Sequence, residues 1–199
     1  MIKELVRRNR SFRGYNEQRA VTREELTEMV DCARITPCMG NIQPLKYYIA
    51  WEKAEVSKIQ ELTVWARALP QIELPHQGMY PTGFIVILQD TNLGKNLAMH
   101  QKDCGIVAQT ILLRATEMGL GGCMIGSFQA DAVREVLCLP DSLIPLLIIA
   151  IGEPAETVVL TEVESGDGTN YYRDAQDIHY VPKRKLKDVL ITKEDIENS

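Results

Sequence analysis

The sequence predicts one globular domain in which a buried helix packs with strands that are themselves buried, and three stretches carry that reading. The first is DCGIVAQTILLRATEMGLGGCMIG, residues 103–126. From Cys104 to Leu113 no residue is charged, and Ile106, Val107, Ala108, Ile111, Leu112, Leu113, Ala115 and Met118 point nearly all round a 3.6-residue helix. A helix apolar on every side is covered on every side. It is too short, and too interrupted by Arg114 and Glu117, to span a bilayer, so its cover comes from the rest of the domain, from a second subunit, or from both. The other two stretches, GFIVILQD (83–90) and IPLLIIAIGEP (144–154), are continuous apolar runs rich in β-branched residues and read as fully buried strands.

Residues 1–199 suit a single domain. A net charge of −5 argues against general nucleic-acid binding, and 45% hydrophobic with 25% charged residues is ordinary for a soluble chain. The N-terminus MIKELVRRNRS lacks the apolar centre of a signal peptide and no segment is long enough for a membrane helix, so a cytoplasmic protein is expected. The cations are uneven. Lys3, Arg7, Arg8, Arg10 and Arg13 at one end and Lys183, Arg184, Lys185 and Lys187 near the other make nine of twenty-two, which suggests a small anion as ligand. Five scattered cysteines without a CxxC pair, and three dispersed histidines, give neither a disulfide framework nor a metal site.

Along the chain, residues 2–8 read as a short helix that NRSFRGY (9–15) then leaves. Arg10, Ser11 and Arg13 alternate along an extended run, so that Arg10 and a hydroxyl can converge on one oxyanion while Arg13 supplies a second fork. Thr22 with Glu25 is a capping box for a helix ending near Thr36, before Pro37. PCMGNIQPLKYYIAW (37–51) is a polar loop feeding a strand, with Asn41 and Gln43 set between Gly40 and Pro44 as turn formers that also offer a donor and an acceptor. Leu45, Tyr47 and Ile49 alternate with Lys46, Tyr48 and Ala50, the pattern of a half-buried strand. A helix is expected over 55–68, then an irregular Pro-rich loop over 69–82; Trp65 just before it and His76 and Tyr80 within it are candidate substrate contacts.

Asp103 suits the N-cap of the long helix and Gly119 its C-cap. Gly119, Gly121, Gly122 and Gly126 then fall within eight residues, a backbone surface that a flat ligand can approach. A short helix is expected at 131–137. The final segment from 156 has a turn signal, SGDG, but no apolar pattern of its own beyond 158–160 and 189–191, so it is read as a tail wrapped around something. The chain shows no Ser–His–Asp set, paired carboxylates, P-loop or GxGxxG after a strand. With no evident acid, base or nucleophile, a bound cofactor is the expected carrier of the chemistry.

Five segments in order, NRSFRGY (9–15), TPCMGNIQPLKYY (36–48), DCGIVAQTILLRATEMGLGGCMIGSF (103–128), IPLLIIAIGEP (144–154) and YYRDAQDIHYVPKRKL (171–186), resemble the FMN-dependent nitroreductase family. The resemblance implies an α+β sandwich with a mostly antiparallel sheet flanked by helices, in an intertwined homodimer with exchanged C-terminal tails and FMN at the interface. It further implies that Arg10, Ser11 and Arg13 hold the flavin phosphate, completed by Lys183 and Lys185. Pro37, Cys38, Met39, Asn41 and Gln43 match the loop laid along the ring by the partner subunit. Gly122, Cys123, Met124, Ile125 and Gly126 match the turn facing the ring, with the Gly126 N–H directed at flavin N5. Asn9, Cys38, Met124 and Leu45 stand where many members carry arginine, serine, an aromatic residue and tryptophan, the pattern of a subfamily.

The implied activity is transfer of electrons from NAD(P)H through FMN to a nitroaromatic, quinone or flavin-type acceptor by a ping-pong scheme. Two other readings use the same residues: a flavin carrier or sensor without turnover, and a relative that reduces an enone or a halogenated aromatic.

Overall fold

The computed structural model describes residues 1–197, which divide into two compact units: residues 1–66 with 73–155, and residues 67–72 with those from 156 onward. The first unit contains α1 (Ile2–Arg8), α2 (Arg23–Arg34), β1 (Leu45–Ala50), α3 (Lys53–Glu61), β2 (Gly83–Asp90), α4 (Gln101–Glu117), β3 (Gly121–Ile125), α5 (Ala130–Val136) and β4 (Leu143–Gly152). The four strands form one sheet in the order β1-β2-β4-β3, every neighbouring pair antiparallel. The architecture is α+β.

Side chains alternate across a strand, so the apolar runs of β2 and β4 feed two cores. On one face Ile85, Ile87, Ile149 and Ile151 meet Leu26, Met29 and Ala33 of α2 and Ala108, Ile111 and Ala115 of α4. On the other, Phe84, Val86, Ile148 and Ala150 meet Val56 and Ile59 of α3 and Val133 of α5. Each buried Ile, Leu or Phe contributes about 1.5–3 kcal/mol, which is why the central strands carry no polar alternation. Opposite Ile87 and Leu88 the register skips Leu146, a bulge that accommodates Pro145 inside β4.

Local signals set the helix ends. The Thr22 side chain accepts from the Glu25 N–H and the Glu25 carboxylate accepts from the Thr22 N–H, closing the capping box. Gly119 sits at φ +78°, with its N–H on Thr116 O and the Leu120 N–H on Ala115 O at 2.8 Å. That double bond pattern is a Schellman stop, and its left-handed residue favours glycine.

Several expectations are corrected. Helix α4 begins at Gln101 with His100 as its N-cap residue, so Asp103 lies in the first turn and caps nothing; its carboxylate is engaged elsewhere. For α4 the exposure of Gly105, Ile106 and Gln109, Ile106 at 41%, excludes only one of the alternatives left open, cover by the domain alone. The helix expected over 55–68 is α3 and stops at Glu61, because Thr63 turns back onto Gln60 O and the Val64 N–H bonds to Ser127 O. In β1, Tyr48 and Ala50 join the second core, so the strand is packed on both faces.

The second unit is more ordered than its composition suggested. It contains β5 (Val158–Val163), β6 (Tyr172–Arg173) and β7 (His179–Arg184) in the order β5-β7-β6, and ends in α6 (Lys193–Glu197). Strands β5 and β7 run parallel, β6 and β7 antiparallel. An Arg173–Glu156 ion pair, each side chain 2% exposed, stands where an apolar core would be expected. Among the described residues no helix is long and apolar enough to cross a membrane.

A Cβ added at Gly122 would lie 2.3 Å from Ala150 O and 2.7 Å from Leu112 Cδ2. Backbone of a central strand cannot yield as a side chain can, so Gly122→Ala is expected to cost about 1–3 kcal/mol in chemical denaturation. Thr22→Ala should cost about 1 kcal/mol by loss of the cap. An unchanged midpoint for Gly122→Ala would show that the strands can separate there.

Candidate active site

Two clusters of the expected site residues form on opposite edges of the sheet. The first lies along β3. After Asn9 closes α1, the chain runs beside this edge strand: Ser11 bridges Gly122 in parallel and the Phe12 N–H donates to Gly122 O at 3.1 Å. Gly121 allows this approach, because a Cβ there would fall 2.5 Å from the Phe12 ring. Arg10 and Ser11 are thereby held next to the glycine-rich strand.

Arg10 donates from Nη2 to Val6 O at 2.5 Å, while its Nε is buried without a hydrogen-bond partner. Burial lowers the pKa of its guanidinium. A buried donor without an acceptor is costly, and an anion placed beside Arg10 would satisfy it. Arg13 donates to Ser11 O at 3.1 Å, bracing the segment. Close packing accounts for Gly121 and Gly122, but not for Gly126, just past β3, where an added Cβ meets nothing within 4 Å. Met124, two residues before it, is exposed at 36% while Cys123 and Ile125 point into the second core. The edge thus offers an unsatisfied cation near the start of β3 and an open backbone just past its end, and these residues suit a flat ring with a phosphate tail.

The second cluster is the loop 37–43. Gly40, Asn41 and Gln43 all have positive φ, at +58°, +53° and +54°, and a run of left-handed residues is sustained only where neighbours hold it. Gln43 Nε2 donates to Asn41 Oδ1 at 3.0 Å, so the two amides brace the turn. The main anchor is Asp103 of α4, 3% exposed, whose Oδ1 accepts the Met39 N–H at 3.0 Å. Its Oδ2 lies 3.0 Å from His100 Nδ1 and accepts from Cys38 Sγ at 3.4 Å.

Burial pushes the Asp103 carboxyl up, but the bonds from His100, Met39 and Cys38 outweigh it and leave it below the ordinary aspartate value. Burial, with the Asp103 carboxylate, raises the Cys38 thiol against the pull of the Gln43 N–H. Cys38 therefore stays protonated and serves as a hydrogen-bond donor.

Within one chain these clusters do not meet. The loop leads into β1 and the glycines belong to β3, with β2 and β4 between them, a separation of three strand spacings or about 14 Å. Lys183 lies exposed on β7 and Lys185 just beyond it, ion-paired with Glu164, both in the second unit. Of the loop candidates, Trp65 and Tyr80 line a cavity beside α3, and His76 is not among its walls. Sequence reasoning missed His100 and misassigned Asp103. The available signal was the carboxylate opening an otherwise uncharged helical stretch. Among the described residues no group of three or more His, Cys, Asp or Glu could hold a metal.

A family model for the nitroreductase family matches residues 6–153. Among similar proteins, an FMN reductase (NADPH) of Bacillus subtilis is 27% identical over 168 residues, covering 76% of this chain and 65% of the relative. A nitroreductase family protein of Clostridium difficile 630 superposes with a TM-score of 0.61 at 28% identity, over 77% of this chain and 84% of the other. An FMN-dependent nitroreductase of C. difficile R20291 gives 0.62 at 24% identity, over 78% and 88%, a likeness of fold. With its family match spanning most of the sheet and both layers of helices, the chain belongs to the nitroreductase family.

Proposed function

We propose that the protein is an FMN-dependent oxidoreductase that carries electrons from NAD(P)H to a nitroaromatic, quinone or flavin-type acceptor. The observation that carries this reading is the placement along one edge, β3, of the unpartnered Arg10 Nε near its Gly121 end and of the open backbone at Gly126 past its other end. When bound, FMN would supply a two-electron carrier, reduced by nicotinamide and reoxidised by the acceptor in turn. The chain's own part is electrostatic: Arg10, Ser11 and Arg13 hold the phosphate and the Gly126 N–H donates to the ring at N5, where negative charge gathers on reduction. The relative of B. subtilis bearing the name FMN reductase (NADPH) supports the cofactor and the donor.

The 14 Å gap between the two clusters is closed in this proposal by a homodimer, in which the partner subunit's 37–43 loop meets the β3 edge. Two features support it. The uncovered side of α4 presents Ile106, and Met39, Ile42, Leu97 and Met99 around the loop and the start of α4 are likewise exposed apolar residues. Exposed apolar side chains on one helix and the segments at its start suit an interface. Leu186, Val189, Leu190 and Ile191, exposed at 57–74%, give the tail an apolar stripe for exchange with the partner, and Lys183 and Lys185 then complete the phosphate site. On this reading the enzyme is cytoplasmic.

Added FMN should remain after free flavin is removed, and its absorbance should bleach anaerobically with NADH or NADPH. Flavin that is retained but stays oxidised would establish a carrier instead. Arg10→Ala should weaken FMN binding by about 1.5–3 kcal/mol, the worth of a charge-assisted contact, and equal affinity would remove Arg10 from the site. Initial-rate plots are expected to give parallel lines. Ile106→Lys should shift the protein to monomer in sedimentation and release flavin with it; an unaltered dimer would place the interface elsewhere.

Asp103→Asn should loosen loop 37–43 to proteolysis, since a neutral amide cannot accept from all three donors. Because its carboxyl is depressed in the folded state, the carboxylate's stabilisation is present at pH values above the ordinary aspartate range and is lost as pH falls through the lowered value. Loop protection that fades only in that acidic window, and is absent in Asp103→Asn, is the expected result.

A further inference from the structure

His100 is 2% exposed and takes no part in the chemistry proposed above, yet it is held on both sides. Its Nδ1 lies 3.0 Å from Asp103 Oδ2. An ionised carboxylate only accepts, so the proton of this bond sits on Nδ1. Asp103 also accepts the Met39 N–H at 3.0 Å and the Cys38 thiol at 3.4 Å, and Cys38 Sγ in turn accepts the Gln43 N–H at 3.3 Å. Apart from His100, every donor to this carboxylate therefore comes from the loop 37–43. A pair that served only the start of α4 would not be engaged in this way.

The other side of the imidazole is closed by Gly94. A Cβ added there would lie 2.7 Å from His100 Nε2 and 3.1 Å from Pro44 Cβ. Gly94 has little freedom to retreat, because its N–H donates to Asp90 O at 3.1 Å and its carbonyl accepts from Nε2 of the enclosed Gln89. Pro44 is fixed as well, with its carbonyl on the Asp90 N–H at 2.8 Å. The end of β2 and the turn after it thus set where the imidazole sits, and the imidazole sets where the carboxylate sits. Buried polar groups connected in this way hold one arrangement. We propose that His100, wedged by Gly94, is a positioning residue of the flavin site, fixing through Asp103 the shape in which the loop 37–43 meets the ring. The proposal rests on the flavin reading above, and it extends the support of that site to a turn none of whose residues is among the expected flavin contacts.

The test compares full-length wild type with His100→Ala, His100→Asn and Gly94→Ala, by FMN dissociation constant and by hydrogen exchange of the Met39 amide with and without flavin. His100→Ala leaves the carboxylate one donor short, and its FMN affinity should fall about tenfold, the worth of a hydrogen bond to a charged group. Gly94→Ala should give a similar loss, since the added methyl must push the imidazole or Pro44 aside. In His100→Asn a side-chain amide N–H stands near the place of the Nδ1 proton, and affinity should return to within about threefold of wild type. In the two weakened variants Met39 should exchange at least about tenfold faster, while Ile85 and Ile87 of β2 stay protected.

Wild-type FMN affinity in either His100→Ala or Gly94→Ala would overturn the proposal, as would weakened binding with Met39 still protected. Faster exchange at Ile85 and Ile87 as well would reduce His100 to a general core residue, and His100→Asn as weak as His100→Ala would assign the effect to lost volume; both results overturn it. Wild-type protein that retains no FMN would instead sink the flavin reading, and Met39 exchange in the flavin-free variants would still decide whether His100 holds the loop.

Discussion

Burial of β2 and β4 on both faces is the constraint on which the rest of this structure depends. Phe84 through Ile87 and Ile148 through Ile151 are fully enclosed, and strands so apolar are stable only between two layers. That requirement places α2 and α4 on one side and α3 and α5 on the other. It also confines chemistry to the edges. A polar group on either central strand would face a packed core, whereas β1 and β3 each have one side free to meet a loop or a ligand.

Both edges are used, in different ways. At β3 the absence of a side chain at Gly121 lets the N-terminal segment lie against the strand, and this brings Arg10 to the same edge as Gly126. At β1 the irregular loop is held by one carboxylate. Asp103 collects a backbone N–H, an imidazole and a thiol, so the first turn of α4 serves the loop more than the helix. The same helix then runs on to its Schellman stop and delivers the chain into β3. One element therefore links the two edges, and its Ile106 side is left uncovered within the chain.

The small second sheet follows another logic. Its strands have too few apolar residues for a core, and the parallel β5–β7 ladder together with the enclosed Arg173–Glu156 pair takes its place. An ion pair of this kind is weak evidence for stability but demands a defined geometry. The segment is therefore shaped by specific partners and not by apolar pattern.

By itself the sequence determined what short-range physics can encode. The capping box at Thr22, the stop at Gly119, the two enclosed strands and the long helix were all legible, because each depends on residues close together in the chain or on an apolar period. Five ordered segments also sufficed to identify the family resemblance. The tertiary structure decided what depends on partners far apart in sequence. Asp103 reads as a cap until Met39 and Cys38, more than sixty positions away, are seen to use it. Why position 122 must be glycine is visible only once Ala150 O is found beside it. The unpartnered Arg10 Nε has no sequence signal at all, since an unsatisfied atom is defined by every neighbour that fails to reach it. The tail sheet was hidden for the same reason: backbone ladders and one ion pair leave little trace in hydrophobic periodicity.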